Sequence, residues 1–249
     1  MRVGLFVTCL VDLMRPSVGF AALRLLEAAG CDVVVPAAQT CCGQPAYNAG
    51  RRGDAKALAK ATIAAFEDFE YVVAPSGSCA GMLRVHYPAL LADEPEWAER
   101  ANLFASRCQE LVSFLVHVRK AAISARCDAV AVYHDSCSAL RELAIRDEPR
   151  RLLAEVEGLT LREIADGQQC CGFGGAFCVK YPEVAARIAR DKLAAAKRTG
   201  AEMIVSADLG CLIHLAGLAS REGVAISCRH VAEILAGDVS APAIGEASK

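Results

Sequence analysis

The sequence predicts an α/β protein of two similar Rossmann-like lobes with mainly parallel sheets, related by internal duplication. Three observations predict it. One cysteine pattern is written twice along the 249 residues. Short β-branched runs alternate with alanine-rich stretches of helical periodicity. Apolar residues make up 54% of the chain, with a mean hydropathy of +0.31, enough for a sizeable core.

The strand signals come in order at Val3–Val7, Val33–Val35, Tyr71–Ala74, Ala129–Tyr133, Leu161–Ile164 and Met203–Ser206. Helical periodicity covers about 17–29, 54–68 and 182–199. Strands alternating with helices imply parallel sheets covered on both faces. The first lobe is expected over 1–125, with a helical insertion at about 88–119 marked by Leu111, Phe114, Leu115 and Val118. The second is expected over 126–236, and 237–249, small and polar, as a flexible tail.

Net charge is −2, and the basic pairs Arg51-Arg52 and Arg150-Arg151 are too short for a tract, so nucleic acid is not expected as a partner. Val3 to Val11 is apolar, but Asp12 and Arg15 follow without a cleavage site. It reads as a buried strand rather than a leader, and no transmembrane segment is expected. A cytoplasmic location follows as the expectation.

Thirteen cysteines in such a chain suggest metal ligands or redox chemistry rather than disulfide staples. Cys9 follows the first strand, Cys41-Cys42-Gly43 comes next, and Cys79 follows Tyr71–Ala74. The second half repeats this with Cys137, Cys170-Cys171-Gly172 and Cys211. The intervals agree: 31 residues between Cys9 and Cys41 against 32 between Cys137 and Cys170, then 36 against 39 to the last cysteine. Loops after the carboxyl ends of parallel strands gather at one edge, so four cysteines can converge in each lobe.

Four thiolates are the usual ligand set of an iron–sulfur cluster. A vicinal disulfide is strained, whereas two adjacent thiols in a turn can face one inorganic centre. Gly43 and Gly172 then permit positive φ and close backbone approach to a cofactor. Structural zinc usually takes paired C-x₂₋₄-C hooks, and no C-x-x-C occurs here. Four thiolates hold zinc as well, so zinc in one site stays an alternative.

These motifs resemble the cysteine-rich CCG domain family, which includes iron–sulfur subunits of heterodisulfide reductase and glycolate oxidase. The resemblance is carried by Phe6-Val7-Thr8-Cys9, Cys41-Cys42-Gly43-Gln44-Pro45, Ser76-Gly77-Ser78-Cys79 and Cys170-Cys171-Gly172-Phe173-Gly174-Gly175, and spans about residues 1–236. It implies two α/β lobes with metal sites near their junction. The expected cofactors are two [4Fe-4S] clusters held by Cys9, Cys41, Cys42, Cys79, Cys137, Cys170, Cys171 and Cys211. The implied role is an oxidoreductase subunit in the conversion of L-lactate, a small 2-hydroxy acid, to pyruvate. Electrons would pass to companion iron–sulfur proteins of a lactate utilization complex. Members of the heterodisulfide reductase type can carry a fifth cysteine, in a motif ending C-x-x-C. Here the vacant slot falls to Ser76 and Asp208, or to Met82 and His214. A thiol–disulfide subunit of that type and a zinc-stabilised scaffold for redox partners are the alternatives.

No catalytic residue is fixed by the sequence. His134 and Asp135, just before Cys137, are candidates for general acid/base groups or hydrogen-bond partners of cluster sulfurs. The plainer reading is a loop histidine with a capping aspartate. His214 is a candidate extra ligand. Arg15, Arg84 and His86 could clamp a carboxylate, against the plainer reading of surface positions. Cys31, Cys108, Cys127, Cys178 and Cys228 are expected to be packing residues or free thiols, and His117 and His230 structural.

Overall fold

The computed structural model describes residues 1–165 and 167–246. Two four-stranded sheets form the frame, both entirely parallel. The first comprises β1 (Arg2–Leu5), β2 (Asp32–Val34), β3 (Tyr71–Ala74) and β4 (Cys108–Glu110), in the order β2-β1-β3-β4. The second comprises β5 (Arg126–Tyr133), β6 (Glu157–Arg162), β7 (Met203–Ser206) and β8 (Ser227–His230), in the order β6-β5-β7-β8. Each strand of the second sheet occupies the place of its counterpart in the first, so the duplicated sequence folds as a duplicated architecture.

The central strands β1, β3, β5 and β7 are short and largely apolar because both faces of each sheet are covered there, whereas the edge strands β4, β6 and β8 carry polar residues. Successive side chains alternate between two cores. Val3, Leu5 and Val73 enter a large core shared with the second lobe, including Ala131, Val132 and Ile204. Val72 and Ala74 enter a second core with Phe66, Met82 and Tyr87. Helix Pro16–Ala28 buries Val18, Ala22, Leu25 and Leu26 at the i, i+4, i+7, i+8 spacing of one helical face.

Two expectations need correction. The segment 88–119 is not helical throughout: after helix Pro95–Arg107 comes β4, which pairs with β3. Its counterpart β8 also lies outside the strand signals read from the sequence. The tail is packed as far as Glu246. Ala243 and Ile244 are buried. The Ile244 amide donates to the Cys228 carbonyl, and Arg229 and Arg15 donate to the carbonyls of Val239, Ala241 and Pro242. Three backbone carbonyls held by guanidinium groups explain why a small, polar segment lies down. Strand bounds also shift, β6 by about a turn's worth of residues, to Glu157–Arg162.

The lobes meet along their strand C-terminal edges. Helix Gly77–Gly81 packs on helix Cys137–Glu142, and helix Cys9–Met14 packs on helix Leu209–Glu222. This exchange is reciprocal, as a pseudo-twofold axis requires. Ser76 and Asp208, three residues before Cys79 and Cys211, hold equivalent places in the two lobes, and they touch: the Ser76 hydroxyl donates to Asp208 Oδ1 at 2.7 Å. Equivalent positions in contact lie at the axis.

Candidate metal centres

Each lobe delivers four thiols to the end of its sheet. Cys9 and Cys137 open the helices after β1 and β5, capped by Thr8 and Ser136. Cys79 and Cys211 lie in the first turn of the helices after β3 and β7. The Cys-Cys-Gly segments follow β2 and β6. Gly43 (φ 83°) and Gly172 (φ 87°) both adopt the left-handed conformation that glycine favours, which turns the chain so that the vicinal thiols face inward. All thirteen cysteines are unbridged.

In the first lobe Cys9 and Cys41 have their sulfurs 3.9 Å apart, and Cys42 and Cys79 have theirs 3.5 Å apart. The Gly43 amide donates to Cys41 Sγ at 3.4 Å. Tyr87 donates its hydroxyl to the Cys42 carbonyl at 2.9 Å and so holds the turn from behind. Hydrogen bonds from Cys42 and Cys9 hold the Cys41 thiol far below its ordinary value, while Cys9 and Cys42, as donors to Cys41, are pushed up.

The second lobe repeats this chemistry. The Gly172 amide donates to Cys170 Sγ at 3.3 Å and the Phe173 amide to Cys171 Sγ at 3.4 Å. Hydrogen bonds from Cys137 and Cys171 hold Cys170 far down, and those two thiols are raised by the same bonds. Each site thus has one favoured thiolate and at least one backbone amide donating to a sulfur, while the raised thiols would give up their protons only on binding a metal. The donor set fits an iron–sulfur cluster or another thiophilic metal.

The surroundings differ. Cys42 and Cys79 belong to an apolar core with Phe6, Ala74, Met82 and Leu83. Behind the second site lie His134, Asp135 and Lys192. His134 is fully buried, and neither ring nitrogen has a hydrogen-bond partner among the described residues. Burial first, then the Lys192 charge, lowers its pKa to about 3, so the imidazole is neutral. One of its ring nitrogens lies with Cys171 Sγ and Cys211 Sγ in a group all within 4.8 Å of one another. Asp135 is buried and bound by both terminal nitrogens of Arg150 at 2.9 Å, and Arg150 also pairs with Glu163 at 2.7 Å. Asp135 is therefore an ion-pair partner rather than a free acid or base.

Lys192 is a site neighbour that the cysteine pattern does not point to. Its side chain is buried and donates to the Gly167 carbonyl at 2.7 Å. A signal for it exists in the sequence: Lys192 falls on the stripe Ala185, Ala189, Lys192, Ala196 that helix Pro182–Arg198 buries. Beside this site opens a cavity of about 720 Å³ lined by Arg146, Asp147, Arg150, Gly167, Gln168 and Gln169.

The other candidates are placed as follows. His214 turns to the Ala185 carbonyl at 3.4 Å and against the Phe173 ring, outside the grouping of His134 with the sulfurs. Arg15 pairs with buried Glu233, Arg84 donates to Gln109 and His86 pairs with Glu142, so no shared carboxylate clamp forms among the described residues. Cys31, Cys108, Cys127 and Cys228 are buried, and Cys178 donates to the Gly175 carbonyl. His230 caps helix Val231–Leu235, and His117 pairs with Glu148. No helix among the described residues is long and apolar enough to cross a membrane.

A family model described as a cysteine-rich domain, CCG, matches residues 3–84 and again 131–216, one match per lobe. The chain is 46% identical over 236 residues to lactate utilization protein A of Shouchella clausii strain KSM-K16, covering 94% of this chain and 98% of that protein. It is 44% identical, with the same coverage, to lactate utilization protein A of Bacillus thuringiensis strain Al Hakam.

Proposed function

Because the chain belongs to the cysteine-rich CCG domain family, we propose that it is the iron–sulfur subunit of an L-lactate-oxidising system, with one cluster in each lobe. Cys9, Cys41, Cys42 and Cys79 would hold the first cluster, and Cys137, Cys170, Cys171 and Cys211 the second. The observation that carries this reading is the convergence of four unbridged thiols in each lobe, with backbone amides donating to the sulfurs. The names of the relatives point to lactate as the substrate.

A bound cluster supplies one-electron transfer, and partner iron–sulfur proteins would take the electrons onward. The chain's own residues set its surroundings. Gly43 and Gly172 bring amide donors to the sulfurs, where they stabilise negative charge. Lys192 places a positive charge behind the second site. In the first, the apolar residues around Cys42 and Cys79 keep these two thiols buried, while Cys9 and Cys41 are partly exposed. The cavity beside the second site, walled by Arg146, Gln168 and Gln169 together with the carboxylates of Asp147 and Glu163, is large enough for a small 2-hydroxy acid. The lobe boundary falls near residue 125, just before β5, and each lobe carries one site.

Deletion of the chain from its source organism tests the role. Growth on L-lactate as carbon source is expected to stop. The wild-type chain is expected to restore it, and Cys42→Ser or Cys171→Ser to fail. Undiminished growth on L-lactate, with a defect on glycolate instead, would contradict the substrate.

A further inference from the structure

Resting on the two-centre reading above, we propose that His134 is a metal ligand of the second centre, which is therefore a mixed thiolate–imidazole site and chemically unlike the first. The imidazole lies at the end of β5, where Ser206 and Val205 of β7 fix its backbone. The Ser206 hydroxyl donates to the His134 carbonyl at 2.9 Å, and the His134 amide donates to the Val205 carbonyl at 2.8 Å. The ring has no such partners among the described residues: it is fully buried with both nitrogens unsatisfied. A buried polar atom left without a hydrogen bond is costly and uncommon, and a ligand is one way it is satisfied. What the ring faces is sulfur, since one of its nitrogens groups with Cys171 Sγ and Cys211 Sγ, all within 4.8 Å of one another.

The first lobe is the internal control. Counting back three residues from Cys9 and from Cys137 gives Phe6 and His134. Phe6 packs on Phe66 with ring centroids 5.7 Å apart, a purely apolar contact. The same backbone position thus carries a hydrocarbon ring behind one set of four cysteines and a ligand-capable ring behind the other. The second lobe offers five soft or borderline donors, Cys137, Cys170, Cys171, Cys211 and His134, and the first lobe four.

The test is pulsed electron paramagnetic resonance on the anaerobically reconstituted, chemically reduced full chain, grown with ordinary or ¹⁵N-labelled histidine. A directly coordinated nitrogen that shifts with the label is expected. It is expected to persist in His214→Ala and vanish in His134→Phe, a substitution for which Phe6 is the precedent in the same fold position. Should His134→Phe fail to fold, the labelled wild type and His214→Ala still decide. A cluster signal with no coordinated histidine nitrogen overturns the proposal and leaves the two-cluster reading intact. If the chain instead takes up zinc without sulfide, the two-cluster reading fails, and zinc-edge absorption decides His134. Nitrogen at about 2.0–2.1 Å beside sulfur at about 2.3 Å supports it, and sulfur alone overturns it.

Discussion

The two cysteine sites share their sulfur positions and almost nothing behind them. The first sits against Phe6 and Tyr87 in an apolar core; the second sits against His134, Lys192 and the Asp135–Arg150 pair. Duplication therefore conserved the turn chemistry that aims thiols, including a left-handed glycine after each cysteine pair, and let the supporting shell diverge. Supporting groups tune charge, hydrogen bonding and solvent access at a metal centre. Two centres with one ligand pattern can thus differ in properties within one chain.

The glycines offer the sharpest way to break the comparison. A Cβ at Gly172 would overlap the backbone carbonyl oxygen of Ala185, whereas at Gly43 the nearest atoms lie 3.4 Å away. Gly172→Ala is expected to displace the Cys170-Cys171 turn and abolish loading of the second centre. Gly43→Ala is expected to cost only the left-handed strain of about 1–2 kcal/mol and to keep the first centre loaded. Metal and sulfide content of the two variants checks this. Equal losses would show that the two turns are supported alike.

The ion pair at the second site comes next in size. Arg150→Met leaves the Asp135 carboxylate buried without its bidentate partner, at a cost of about 3–5 kcal/mol. Denaturant unfolding of the metal-free chain is the measurement. In the first lobe the corresponding place is held by Val7, whose amide donates to Gln39, so no such charge is at stake there.

A third difference lies at the strand ends. Glu110 ends β4 and His230 ends β8, and both cap the helical turn that follows. His230 is fully bonded, whereas Glu110 keeps one carboxylate oxygen unpartnered among the described residues, and burial raises its pKa from 4.5 to about 7. Within that window the folded chain holds a proton that the unfolded chain releases. Stability therefore falls as pH rises from about 4.5 to about 7, by up to about 3 kcal/mol, and levels off above. Glu110→Gln is expected to remove this fall and to be the more stable form near pH 7.5. Urea midpoints at about pH 5 and about pH 7.5 for both chains decide it.

These residues also mark where the sequence is legible. β1, β3, β5 and β7 are central strands of β-branched residues, and their signals stand out. β4 and β8 are edge strands reading Cys108-Gln109-Glu110 and Ser227-Cys228-Arg229-His230. Their polar residues serve as caps and tethers, which hides the strand signal. The cysteine convergence is legible because each thiol follows a strand or opens a tight turn. The support shell is not, because Tyr87 and Arg150 lie outside the cysteine motifs they back, and neither carries a spacing signal that ties it to them. Lys192 is hidden by the ordinary expectation that lysine faces water.

The most direct measurement is iron, acid-labile sulfide and zinc per chain on anaerobically purified protein, for the wild type, Cys42→Ser and Cys171→Ser. About eight irons and eight sulfides, falling to about half in each variant, are expected for two four-iron clusters, one per lobe. Zinc without sulfide, or complete loss of iron from either single substitution, would contradict two independent centres.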